Sequence, residues 1–135
     1  MILLDTVVLS ELRKTRPNAG VVSYLKSKAS ETVFLSAMTI GEIEAGIERQ
    51  RSVAPAFAQE MSQWLALMEL QFAPSILPVT AAIAKLWGRL CVQTGNKGAD
   101  NLIAATALVH NLIVVTRNVK DFEVVGVRVL DPFVD

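Results

Sequence analysis

Residues 99–118 read ADNLIAATALVHNLIVVTRN. From Asp100 to His110 the residues are apolar on nearly every side, which calls for a helix covered all round. Leu112 to Thr116 is a short β-branched run, the mark of a strand buried on both faces. A buried helix that feeds such a strand is one half of a βαβ unit. The rest of the chain is therefore expected to supply a parallel sheet.

Working outward, MILLD at the start is a second buried strand, ended by Asp5. TVFLS, from Thr32 to Ser36, reads as a third. Ile76 to Val79 reads as a short strand whose limits Pro74 and Pro78 mark, and Val127 to Leu130 as a last one. Helical spacing fills the gaps. Val21, Val22, Leu25 and Ala29 predict a helix from about Asn18 to Lys28. Ser36 or Thr39 can start the next, with Thr39 and Glu42 at capping-box spacing and Ile40, Ile43, Ala45 and Ile47 along it. Phe57, Met61, Trp64 and Met68 stripe a long helix from Pro55 to Gln71. Ile83, Leu86, Trp87, Leu90 and Cys91 mark another, and Gly95 to Gly98 a loop. Alternating strands and helices predict an α/β fold with a mainly parallel sheet of four to five strands between helical layers. No repeat or linker interrupts it, so residues 1–135 are read as one domain.

Composition narrows the function. A chain of 135 residues that is 52% hydrophobic builds a filled core and is not disordered. Thirteen basic and thirteen acidic residues cancel, so any hold on a polyanion must be local or come through a cation or a partner. A single cysteine, Cys91, excludes an internal disulfide and a cysteine-built zinc site, and suits a reducing compartment. The N-terminal stretch lacks a basic leader region and no apolar run is long enough to span a membrane, so a cytoplasmic protein is expected.

Parallel sheets put their sites at the carboxyl ends of strands. Asp5 ends the first strand, Glu42 follows the second, Asp100 opens the buried helix, and Asn118 and Asp121 follow the strand that ends near Thr116. If those strands are neighbours, these residues meet at one edge. Carboxylates gathered in a cleft need cations to stay ionised together. An all-oxygen set favours Mg²⁺ or Mn²⁺, and phosphodiester hydrolysis is the natural chemistry. Each residue has a plainer use as well. Asp5 and Asp100 suit a strand end and a helix start, and Glu42 a capping box with Thr39. Asn118 and Asp121 suit a loop. Lys97, Arg117 and Lys120 can meet phosphates but read first as solvated charges.

MILLDT at 1–6, TIGEIEAGI at 39–47, ADNLIAATALVHNLIVVTRN at 99–118 and DF at 121–122 together resemble the PIN-domain ribonucleases of the VapC and FitB toxins. The likeness runs from Met1 to Pro132. It implies a PIN-like three-layer α/β/α fold and a metal-dependent endoribonuclease of a toxin–antitoxin pair. Asp5, Glu42 and Asp100 would hold Mg²⁺ or Mn²⁺ and Asn118 would complete the catalytic set, with Thr6, Thr116 and Asp121 as auxiliaries. It also implies RNA as substrate, a homodimer, a VapB- or FitA-like antitoxin, and contact with operator DNA only through that antitoxin. The Phe57 to Met68 stripe would line the antitoxin groove. One departure stands out: Val7 occupies the place of a family asparagine. That favours, as the alternative, a weak or inactive module that binds an antitoxin and dimerises. An aspartate phosphatase would need a second acid at position 7, and a phospho-acceptor receiver an acidic pair, and neither is present.

Overall fold

The computed structural model describes residues 1–135. Five strands form one sheet: β1 (Ile2–Leu4), β2 (Val33–Ser36), β3 (Ile76–Leu77), β4 (Ile113–Val115) and β5 (Val129–Leu130). Their order is β3-β2-β1-β4-β5, and every pairing is parallel. Seven helices flank them: α1 (Thr6–Glu11), α2 (Ala19–Lys26), α3 (Ala37–Gln50), α4 (Pro55–Gln71), α5 (Ala81–Thr94), α6 (Ala99–His110) and α7 (Val119–Glu123). The expected α/β architecture is thus observed, with all five strands parallel. No helix is long and apolar enough to cross a membrane.

The two-residue period of a strand sorts the core into two layers. Ile2 and Leu4 of β1, Val33 and Leu35 of β2 and Val115 of β4 face α1 to α4, where Leu9, Val21, Ile43, Ile47 and Leu65 meet them. Leu3 and Val114 turn the other way, onto Ile83, Leu90, Ile103 and Phe122 of α5 to α7. Seven consecutive residues of α6, Asn101 to Ala107, are buried, as its sequence required. The central strand β1 has its neighbour β2 on one side and β4 on the other. The chain order reverses across β1, which makes the carboxyl ends of β1 and β4 the switch point of the sheet.

The ends differ from expectation for local reasons. Ser36, not Thr39, starts α3: its Oγ accepts from Met38 N at 3.0 Å, and Thr39 lies buried inside the helix. Thr39, Ile43 and Ile47 form the buried face of α3, while Ala45 is exposed. On α4 the fully buried residues are Ala58 and Leu65. Met61, Trp64 and Met68 flank the core half-buried, and Phe57 is 40% exposed. Helices α1 and α7 had no clear signal in the sequence. Asp5 caps α1, accepting from Thr6 N with its side chain. Strand β3 stops at Leu77, ahead of Pro78, and β5 keeps only two residues.

The C-terminal segment after β5 is tied down without being a strand. Asn18, the cap of α2, donates through Nδ2 to Val134 O at 2.7 Å and accepts at Oδ1 from Val134 N at 3.1 Å. Gly20 makes room for it: a Cβ there would stand 2.3 Å from the Pro132 carbonyl oxygen and 2.8 Å from Val134 Cγ1. Gly20→Ala is therefore expected to destabilise the fold by about 1–3 kcal/mol through overpacking. Gly41→Ala, where a Cβ meets nothing within 4 Å, should add about 0.5–1 kcal/mol of helix propensity. Urea midpoints of the two variants check both signs.

Candidate active site at the switch point

Asp5 leaves the end of β1 and is 2% exposed. Its backbone N–H extends the ladder to Val115 O at 3.0 Å, which sets the carboxylate between the ends of β1 and β4. One carboxylate oxygen accepts from Thr6 N at 2.8 Å. The other accepts from the hydroxyl of Thr116, itself fully buried, at 2.7 Å. Thr116 Oγ1 in turn accepts from Asn118 N at 2.9 Å. The turn after β4 and the acid after β1 are thus locked together.

Glu42 lies in α3, half-buried. With Ser36 as the cap, the capping-box use of Glu42 falls away. Its Oε1 accepts from the Thr6 hydroxyl at 2.6 Å, and Thr6 Oγ1 stands 3.2 Å from Thr39 Oγ1, whose proton it can accept. Thr6 thereby joins the end of β1 to the second acid. Asp100 sits in the first turn of α6 and lines a cleft of about 400 Å³ with Asp121, Asn96 and Asn101. Asn101 braces this helix end: its Nδ2 donates to Thr94 Oγ1 at 2.9 Å and to Asn96 O at 2.7 Å.

Electrostatics report the convergence. Burial pushes the Asp100 carboxyl up to about 6, and Asp5, Asp121 and Glu42 push it the same way. Burial also raises Asp5, against the hydrogen bonds from Thr116 and Thr6, and Glu42 and Asp121 add to the rise. Asp5 and Asp100 therefore each feel the charges of Glu42 and Asp121. As they are placed, no three acidic, histidine or cysteine side chains stand close enough to share one ion. Glu42 is drawn to Thr6 and Asp5 to Thr116 instead. In kind the donors fit a hard divalent cation: all are carboxylate oxygens, and burial with mutual repulsion leaves the negative charge that a cation offsets.

The remaining residues divide. Asp121, from α7, belongs to the cluster. The side chain of Asn118 does not cap α7, and its backbone anchors on Thr116. The family resemblance ranks Asn118, two residues after Thr116, above Asp121, whereas Asp121 and not Asn118 lines the cleft with Asp100. Val7 packs half-buried against the first apolar cluster. His110 is exposed at the far end of α6 and plays no part.

A PIN domain family model matches residues 2–127. Toxin FitB of Neisseria gonorrhoeae is 34% identical, with all of both chains covered. VapC ribonuclease Y4jK of Sinorhizobium fredii is 31% identical, with 98% of each covered. Among solved structures, FitAcB from Neisseria gonorrhoeae superposes with a TM-score of 0.84 at 34% identity, over 98% of this chain and 98% of that one. A FitAB complex bound to an IR36 DNA fragment gives 0.77 at 33% identity, over 98% and 95%.

The raised acids carry a pH signature. In the folded chain Asp100 binds its proton more tightly than the ordinary value of 3.8 allows, and Asp5 shifts in the same direction. Between about pH 4 and 6 the folded state therefore holds more protons than the unfolded chain. Stability from these groups rises as pH falls through that window and is lost as pH climbs above it. In chelator, Asp100→Asn is expected to melt higher than the parent at about pH 7.5, with the gap closing toward about pH 4. Thermal melts across that range check the sign.

Proposed function

Because the chain belongs to the PIN domain family, we propose that it is the toxin half of a toxin–antitoxin pair, an endoribonuclease that hydrolyses RNA phosphodiester bonds at the four-carboxylate cleft. Residues 1–135 act as one PIN domain in the cytoplasm. The observation that carries this reading is Asp100 at the switch-point end of the sheet, lifted to about 6 by its burial first and then by the charges of Asp5, Asp121 and Glu42. The likeness over its full length to a VapC ribonuclease and to toxin FitB supports the same reading.

Asp5, Glu42 and Asp100 are the residues to hold Mg²⁺ or Mn²⁺. When bound, such an ion supplies charge against the scissile phosphate and polarises a water. The chain's own contribution is orientation. Thr116 and the Thr6 amide fix both oxygens of Asp5, so its rotamer is set before substrate arrives. The Thr6 hydroxyl holds Glu42. Asp121 edges the cleft and completes the negative rim, with Asn118 beside it as the fourth family position.

The groove on the other side of Glu42, lined by Thr6, Arg13, Ile47, Phe57 and Met61, suits an apolar antitoxin helix. The partner would be VapB- or FitA-like, and operator DNA would be met only through it, as the family resemblance implies; a FitAB complex bound to a DNA fragment is among the similar structures. A homodimer is expected on the same basis. The alternative, a weak or inactive module, is favoured by Val7, which spends its side chain on core packing rather than on the cleft.

Purified protein is expected to cleave RNA with Mg²⁺ or Mn²⁺, and EDTA to stop it. Asp5→Asn or Asp100→Asn should lower the rate by at least about a hundredfold. Full cleavage by Asp100→Asn would refute the reading. Thr116→Val should cost about 10–100-fold with Thr116→Ser restoring most of it, since Thr116 acts through Asp5. A folded chain that neither cuts RNA nor binds metal at about millimolar concentration, where many weak oxygen-only sites load, is the inactive module.

A further inference from the structure

Arg117 follows Thr116 directly, so the bond that locks Thr116 to Asp5 also fixes the backbone of Arg117 at the rim of the cleft. Sequence reads Arg117 as a plain solvated charge. Instead its guanidinium carbon lies 4.4 Å over the ring centroid of Phe133. None of the three ion pairs in the chain uses it, though, behind Lys14, its charge also helps to hold the Glu11 carboxyl down. Stacking covers the face of a guanidinium and leaves its in-plane N–H donors free, the edge that matches phosphate oxygens.

Phe133 is itself held. It packs half-buried against the first apolar cluster, and its N–H donates to Asp131 Oδ1 at 2.9 Å. The next residue is gripped on both backbone groups by Asn18. The C-terminal segment is thus a built platform for one arginine. Arg117, Asn118, Val119, Lys120, Asp121 and Asp131 line a recess of about 430 Å³, and Asp121 also lines the cleft of Asp100. A polyanion leaving the acids past Asp121 meets Arg117 next. The chain carries no net charge, so a hold on such a polyanion has to come from placed cations like this one.

We propose that Arg117, seated on Phe133 by the clamped C-terminal segment, is a positioning residue that takes an RNA backbone phosphate neighbouring the one that is cleaved. This rests on the nuclease reading above. The other arginine–phenylalanine stack, Arg13 at 5.6 Å over Phe57, lines the groove assigned to the antitoxin and serves as the comparison.

The test measures binding of a short fluorescein-labelled single-stranded RNA by fluorescence polarisation, across a salt series, in full-length protein made inert by Asp100→Asn. Adding Arg117→Ala should weaken binding about five- to tenfold and flatten the slope of log affinity on log salt by about 0.7, the loss of one phosphate contact. Arg117→Lys should keep the slope and lose part of the affinity. Phe133→Ala should weaken binding with the slope kept, and Phe133→Tyr should restore it. Thermal melts identify any variant that has unfolded, and the arginine and tyrosine pairs then decide. In cleavage-competent protein, Arg117→Ala should raise KM more than it lowers kcat. RNA cleavage with affinity and slope untouched by Arg117→Ala overturns this inference and spares the nuclease. So does an Arg117→Ala effect confined to antitoxin binding, or a slope change seen only with Arg13→Ala. A folded chain that neither binds nor cuts RNA overturns both.

Discussion

The hydroxyl of Thr116 on the carboxylate of Asp5 is a single hydrogen bond across the ends of two neighbouring strands, and the arrangement of the cleft depends on it. It sets the direction of a buried acid, and through the Asn118 amide it shapes the turn that leads to Arg117 and Asp121. Beneath it lies a β1 of only three residues, all buried, whose two-faced packing leaves Asp5 no other place to stand. A hydroxyl is well matched to the task. It donates one proton to the acid, accepts another from the backbone, and brings no charge into a site already rich in it.

Gathering four carboxylates is costly, and the chain sets the cost against its core rather than against local cations. The ion pairs of the protein lie elsewhere, Lys14 with Glu11 and Arg51 with Glu44 and Glu48. No lysine or arginine neutralises Asp100 through an ion pair. A site kept negative in this way is tuned for a positively charged guest, at the expense of stability, as functional sites commonly are. The same deficit would welcome a basic side chain from a protein partner as readily as a metal ion. One pocket can therefore serve both activity and its restraint.

The architecture could be read from the sequence because its governing signals are local and strong. The apolar runs at Ile2–Leu4 and Leu112–Val115, and the almost wholly apolar helical stretch from Leu102 to Ala107, allow little besides a buried parallel sheet. Asp5, Glu42 and Asp100 follow from their places at the ends of those elements. What could not be read depends on tertiary context. Helix α1 begins with Thr6-Val7-Val8, which is β-branched and has weak helical preference, and it forms because Asp5 caps it. Helix α7 is five residues long, too short to show a period, so the element that carries Asp121 was hidden, although its place after β4 already put Asp121 at that edge. At Glu42 two local patterns competed, and the Ser36 cap, set by the end of β2, decided between them. The Asn18 clamp on Val134 and the Arg117 stack on Phe133 join residues that sequence spacing cannot pair.

The strand order has a consequence for how the molecule comes into being. Strand β1 precedes the other strands in the chain and lies in the middle of the sheet, yet one of its two neighbours, β4, follows it by more than a hundred residues. A nascent chain can pair β1 with β2 early, but the opposite edge stays open until residue 115 has left the ribosome. Asp100 and Asp121 arrive in the same late stretch, and the Val134 clamp later still. Contacts of such long sequence separation form slowly. A chain cut before residue 113 would thus lack one neighbour of β1, and the acids can assemble only once residue 121 is in place.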